Sequence, residues 1–272
     1  MLYNPFRKAF LLNRILILTT LFLSIPNPIF GEGRELNFNE SQIYWELAYE
    51  VGLYYGFKPV NDAFERPKGQ GIKRMPWQPI DDSFRHIFHP SEYGTDPLDK
   101  EEPYNHGSDL ANRAMAYYTL GAVPLYIESG KRLGAVFTTL HMIETTFYLN
   151  TLLRTIFSRF RPRSVYRNDT DYDKAPRNSF PSGHASQAFA WATSAILITD
   201  LGPLGSAAFY SIATVASLLR LSGGQHFFSD LVAGAIVGTA VPWGVYHSLH
   251  KKEASSFSLD VLPNELQITY RF

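Results

Sequence analysis

Residues 181–198 read Pro-Ser-Gly-His-Ala-Ser-Gln-Ala-Phe-Ala-Trp-Ala-Thr-Ser-Ala-Ile-Leu-Ile. From Ala185 onward the run is apolar, long and without strict alternation, so it reads as a helix rather than a strand. The helix begins near His184. That places Ser182 and Gly183 at its N-terminus, where unpaired backbone N–H groups and the positive end of the helix dipole favour anions. Gly183 lets a ligand come close to the backbone.

Reading outward, four further helical patterns surround this one. They run from about Asp109 to Glu128, Lys131 to Phe160, Leu204 to Leu221 and His226 to His250. Gly130, Gly202-Pro203 and Gly223-Gly224 separate them. Long helices joined by short connections make an all-α helical bundle. The chain divides into four segments: a signal peptide or signal anchor (1–31), an N-terminal helix with an irregular insertion (32–108), a helical core (109–250) and a short extended tail (251–272). In the first, Arg7, Lys8 and Arg14 precede the apolar run Ile15 to Ile25, and cleavage is expected near Gly31. In the second, a helix from Asn39 or Ser41 to about Tyr55 leads into a stretch punctuated by glycine and proline, with one helical turn near Asp81 to Phe88. The tail alternates over Ser256–Leu262 and again over Leu266–Tyr270, the pattern of two short strands around Pro263-Asn264.

The chain has 272 residues, 25 basic and 25 acidic, and no cysteine. Disulfides, thiol nucleophiles and cysteine metal sites are thereby excluded. Zero net charge offers no general attraction to nucleic acid, so any anion-binding power must be local. Two segments besides 181–184 carry the groups for it. Arg154 and Arg161 precede Pro162, and on a continuous helix they would stand two turns apart on one face. Arginine forks suit tetrahedral oxyanions. Farther on, Arg220 precedes a glycine turn that leads to His226 and Asp230, spaced i,i+4, where a carboxylate can hold an imidazole tautomer.

Taken in order, Arg154-x6-Arg161-Pro162, Pro181-Ser182-Gly183-His184 and Arg220-x5-His226-x3-Asp230 resemble the type 2 phosphatidic acid phosphatase (PAP2) superfamily, whose signature is K-x6-R-P, P-S-G-H and S-R-x5-H-x3-D. Arg154 stands where the family has lysine, and Leu219 where it has serine. The resemblance implies a metal-independent phosphatase of lipid or small phosphate esters that works through a phosphohistidine, without a cofactor. It implies His226 as nucleophile, His184 as acid and base, and Asp230 as the partner of His226. Arg154, Arg161, Ser182, Gly183 and Arg220 would hold the phosphate. The same cradle serves vanadate haloperoxidases, which gives a second enzymatic reading with vanadate as cofactor; a non-catalytic lipid-binding bundle is a third.

The implied partner is a phosphate ester, with lipid phosphate favoured. Export to the periplasm with membrane association is the expected location, because mean hydropathy is only −0.13 and the tail alternates. The alternative is a multi-pass inner-membrane protein whose site faces the periplasm.

Overall fold

A computed structural model describes residues 51–52, 55–67, 70–88, 98–166, 175–199, 201–249, 256–262 and 265–271. The expected export segment and nearly all of the helix expected before Tyr55 lie outside these residues. The described chain is helical except for its tail: α1 (residues 55–64), α2 (Gln78–Phe88), α3 (Leu98–Tyr117), α4 (Arg132–Phe157), α5 (Pro162–Tyr166), α6 (Gly183–Thr199), α7 (Pro203–Ser222) and α8 (Phe228–Leu249). The tail forms the antiparallel hairpin β1 (Ser256–Leu262) and β2 (Glu265–Arg271), with Ser256 opposite Arg271 and Leu262 opposite Glu265.

The segment expected to be irregular is more helical than its composition indicates. Both α1 and the whole of α2 fall within it, and α3 begins eleven residues before Asp109, with Pro103 inside it. Beyond Tyr117 the helix loosens through a π turn (Tyr118–Ala122) into a 3₁₀ turn (Val123–Tyr126). Pro124 lacks an N–H, so a regular α ladder cannot continue through it.

The helix read from residues 183–199 stands at the centre, packed against α3, α4, α7 and α8. Its composition explains the position. Ala185, Ala188, Ala190, Ala192 and Ala195 are fully buried, and such small side chains admit neighbours on every side. The closest neighbour is α8. A Cβ added at Gly234 would sit 2.6 Å from the Ser182 carbonyl oxygen, and one at Gly238 would collide with the Ser186 carbonyl. Two glycines four residues apart therefore clear a groove in α8 into which the start of α6 fits. The Ser182 N–H donates to the Asp230 carbonyl across this contact (2.9 Å). The helix carrying the Pro-Ser-Gly-His segment is thus locked to the helix that carries Asp230.

This packing reverses the usual effect of replacing a helical glycine. Gly→Ala inside a helix ordinarily stabilises by up to about 1 kcal/mol. At Gly238 we expect Ala to destabilise by about 1–3 kcal/mol through overpacking. At Gly244, whose added Cβ meets nothing within 4 Å, Ala is expected to be neutral or stabilising. Thermal unfolding of the two variants side by side measures the difference. A Gly238→Ala protein as stable as Gly244→Ala would refute the close-packed interface.

Candidate active site

The first motif does not lie on one helix as its spacing suggested. Helix α4 ends at Phe157, and Ser158 closes it in the left-handed region at φ 45°. Its N–H donates to the Arg154 carbonyl (2.8 Å). The chain then straightens and pairs with Ile72, whose N–H donates to the Ser158 carbonyl (3.1 Å) and whose carbonyl accepts from Phe160 (3.0 Å). Arg161 therefore stands outside α4. Pro162 is the first residue of α5, where a missing N–H costs nothing.

Arg154 and Arg161 still meet, through Asn178. Arg154 Nε donates to the Asn178 carbonyl (3.0 Å) and Arg161 Nε to its side-chain oxygen (2.9 Å). Arg161 also donates to Gln225 from the third motif. The Arg154 guanidinium lies against the start of α6, its Nη1 3.1 Å from where a Gly183 Cβ would stand. Ser182 is buried, and its hydroxyl faces the Ala185 N–H at 3.4 Å. Burial first, and then the Arg154, Arg220 and Arg163 charges, push the Arg161 guanidinium down to about 10, with Asp230 opposing. Four guanidinium groups so close repel one another, and an anion placed among them relieves that repulsion. A polar cavity of about 350 Å³ opens beside Arg154, lined also by Asn61, Glu65, Thr151, Arg177 and Asn178.

His184, at the start of α6, lies against Arg220, whose Nη2 is 2.6 Å from its Nε2. The same ring nitrogen is 2.8 Å from Asp109 Oδ1. Nε2 serves one of them at a time: protonated it donates to Asp109, and unprotonated it accepts from Arg220. Arg220 also donates to the Asn105 side-chain oxygen (3.0 Å), which ties α7 to α3.

His226 precedes α8 rather than lying on it, so the i,i+4 helix argument fails for the pair with Asp230. Its Nδ1 is 3.7 Å from Asp230 Oδ2 but 2.8 Å from the Ser179 carbonyl oxygen. A carbonyl only accepts, so Nδ1 carries the proton and the Nε2 lone pair is left for chemistry. Asp230 is occupied elsewhere. Its Oδ2 accepts from the Ser179 hydroxyl (2.5 Å) and the Phe227 N–H (2.9 Å), and its Oδ1 from Arg159 (2.6 Å). Ser179 thus stands between the carboxylate and the imidazole. Burial pushes His226 down to about 4, with Arg161 and Arg154 acting in the same sense and Asp230 against. The ring is neutral near neutral pH.

Arg159, Asp81, Asp109, Ser179, Asn178 and Gln225 carry no signal that marks them individually in the sequence. Arg159 sits inside the first motif, yet its spacing from the other arginines gives no hint that it turns away from them.

The PAP2 superfamily model matches residues 135–254. Over 88 residues the chain is 36% identical to the lipid A 1-phosphatase of Porphyromonas gingivalis; the match covers 31% of this chain and 17% of that protein. The chain therefore spans about a sixth of the curated relative it matches. In three dimensions it is similar to LpxE of Aquifex aeolicus, with a TM-score of 0.46 at 19% identity, over 65% of this chain and 98% of that one. It is also similar to the PAP2-type phosphatidylglycerolphosphate phosphatase of Bacillus subtilis, with a TM-score of 0.47 at 18% identity, over 75% and 96%. All three motifs, from Arg154 to Asp230, fall inside the segment that the PAP2 superfamily model matches.

Proposed function

We propose that the protein is a membrane-embedded phosphatase that hydrolyses lipid phosphate monoesters through a phosphohistidine on His226. The observation that carries the reading is the gathering of Arg154 and Arg161 beside the His226 imidazole, whose Nδ1 donates to a carbonyl and leaves the Nε2 lone pair, with Arg220 against His184. The lipid A 1-phosphatase relative supports a lipid phosphate as the substrate class.

In the first step the His226 Nε2 lone pair forms a bond to phosphorus as the ester P–O bond breaks. The departing oxygen takes its proton from His184. The His226 Nδ1 keeps its proton and goes on donating to the Ser179 carbonyl while the ring becomes positive, and Asp230 stabilises that charge from 3.7 Å. The three arginines and the N-terminus of α6 hold the equatorial oxygens. In the second step His184 accepts a proton from water, the oxygen attacks phosphorus, and the P–N bond breaks to release phosphate. Asp109 steadies His184 when it is protonated, and Arg220 faces it when it is not.

The outer helices support the membrane assignment. Both α7 and α8 are long and apolar enough to cross a bilayer, and only 28% of each is buried. A core helix of a soluble protein of that composition would be mostly covered. Here Leu204, Ile212, Val215, Val232, Ile236 and Trp243 face outward. Lipid is the solvent that such a surface fits.

Phosphate release from a panel of lipid and soluble phosphate esters, run on membrane and soluble fractions, tests this reading. Activity is expected in the membrane fraction, on lipid phosphates, and undiminished in excess EDTA. Activity abolished by EDTA and restored by a divalent cation would overturn the metal-free route. Phosphate release confined to soluble esters in the soluble fraction would overturn the lipid and membrane assignments.

A further inference from the structure

The polar cavity beside Arg154 has no part in the two chemical steps. It lies between the end of α1 and the end of α4, and every residue that lines it is polar. Its volume of about 350 Å³ stands at the lower end of ligand pockets, which run from about 300 to 1,000 Å³. The walls are held in place. The Phe57 and Tyr148 rings meet at 4.8 Å and dock α1 on α4, and the Thr155 hydroxyl donates to Asn61 Oδ1 (2.6 Å). Arg66 Nη2 donates to the Ile156 carbonyl (3.2 Å), and Arg177 Nη1 to the Arg66 and Pro67 carbonyls (2.9 and 2.5 Å). The segment after α1 is thereby pinned against the end of α4. Of the neighbouring arginines, Arg159 turns inward to Asp81 (2.8 Å) and Asp230 (2.6 Å), and Arg161 is engaged by Asn178 and Gln225. Arg154 donates only from Nε, to Asn178, and both its Nη groups lack an acceptor among the described residues. Among the same residues the Glu65 carboxylate, the Asn61 amide N–H groups and the Thr151 hydroxyl have no partner either.

We propose that this cavity is a headgroup subsite, which selects lipids whose phosphate is carried on a hydroxylated headgroup, a glycerol or a sugar, over lipids whose phosphate is joined directly to the acylated backbone. The proposal deepens the phosphatase reading and rests on it. The unpartnered groups decide the chemistry. Guanidinium and amide donors share one small space with a carboxylate, so the ligand must offer acceptors and donors together, and a hydroxyl offers both. A second phosphate would be repelled by Glu65, and an acyl chain would cover these groups without pairing them. Position supplies the connection to the phosphate. Arg154 belongs to both places: its Nη1 lies 3.1 Å from where a Gly183 Cβ would stand, one residue before His184, and its side chain lines the cavity. Asn178 does the same, since it accepts from Arg154 and Arg161 and also lines the cavity. A phosphate held by Arg154 with its ester oxygen toward His184 therefore brings the first carbons of its headgroup beside the cavity.

Phosphate release by the full-length protein in detergent micelles provides the test, on phosphatidylglycerol phosphate, on lipid A and on phosphatidic acid, with the same acyl chains on the two phospholipids. For at least one of the hydroxylated lipids kcat/KM is expected to exceed that for phosphatidic acid by roughly tenfold or more, as hydrogen bonds to charged side chains give. The one preferred identifies the headgroup as glycerol or sugar. In Glu65→Ala the preference is expected to fall by about tenfold, through loss on the hydroxylated lipid. Glu65→Gln keeps an acceptor without the charge and is expected to fall between the two. Glu65 is exposed and has no partner among the described residues, so the fold does not depend on it. Equal kcat/KM on all three lipids in wild type overturns the subsite and leaves the phosphatase standing. A preference that Glu65→Ala leaves unchanged overturns it as well, and so does one that Glu65→Ala increases, since the cavity would then take an anion. If no lipid is hydrolysed, the phosphatase reading fails and equilibrium binding of the same three lipids decides the subsite. Tighter binding of a hydroxylated lipid, lost in Glu65→Ala, retains it, and binding without preference overturns it.

Discussion

His226→Ala is expected to abolish the covalent phosphoenzyme and to lower kcat by roughly 10⁴-fold or more, as loss of a nucleophile does in enzymes that use one. The variant removes a ring that is buried at 2% exposure and bonded through Nδ1 to the Ser179 carbonyl. The change leaves a small cavity but breaks no charge pair, because Asp230 keeps Arg159, Ser179 and the Phe227 N–H. The variant should therefore fold and still bind phosphate weakly through its arginines. Rapid quench into alkaline denaturant, in which a P–N bond survives, with a 32P-labelled lipid phosphate reads the result directly. Label that survives on the His226→Ala chain would remove His226 from the nucleophile's role.

His184→Ala is expected to separate substrates by their leaving groups. With an alkyl phosphate the departing alkoxide needs a proton, and losing the acid should cost roughly 10²–10⁴-fold. With p-nitrophenyl phosphate the leaving phenolate is stable without one, so the first step should be nearly unimpaired. The position of His184 makes the test sharp. Its Nε2 is shared between Asp109 (2.8 Å) and Arg220 (2.6 Å), so the ring is placed by one acceptor and one cation. Removing it leaves Arg220 paired with Asp109 at 3.4 Å and with Asn105, so the anion cradle should persist. Equal losses on the two substrates would sink the assignment of His184 as acid.

Three features were legible from residue order because their causes are local. Gly183 begins a helix because an apolar run of helical length follows it, and Ser182 precedes that run as its cap. The identity of the arginines and histidines follows from the chemistry that tetrahedral oxyanions require. The hairpin in the tail follows from alternation on either side of Pro263-Asn264. Each of these depends on residues within a turn or two of one another.

What failed was extrapolation of regular geometry across a boundary. Arg154 and Arg161 share a face only if the helix continues, and Ser158 stops it by taking a left-handed conformation that pairing with Ile72 holds in place. His226 and Asp230 are four residues apart, yet the helix begins only at Phe228, and the imidazole turns to a carbonyl 47 residues away in sequence. In both places the partner that decided the outcome came from a distant segment.

Residue order by itself determined the helical class, the central helix and the inventory of charges available to an anion, because period, length and side-chain chemistry are properties of neighbours along the chain. Tertiary structure alone decided which atom of His226 is free, what Asp230 touches, and that Arg159 turns inward to Asp81 while Arg154 and Arg161 gather at Asn178. Those outcomes depend on where a desolvated charge finds an opposite one, and a buried guanidinium is held only by groups that the fold, not the sequence spacing, brings within about 3 Å.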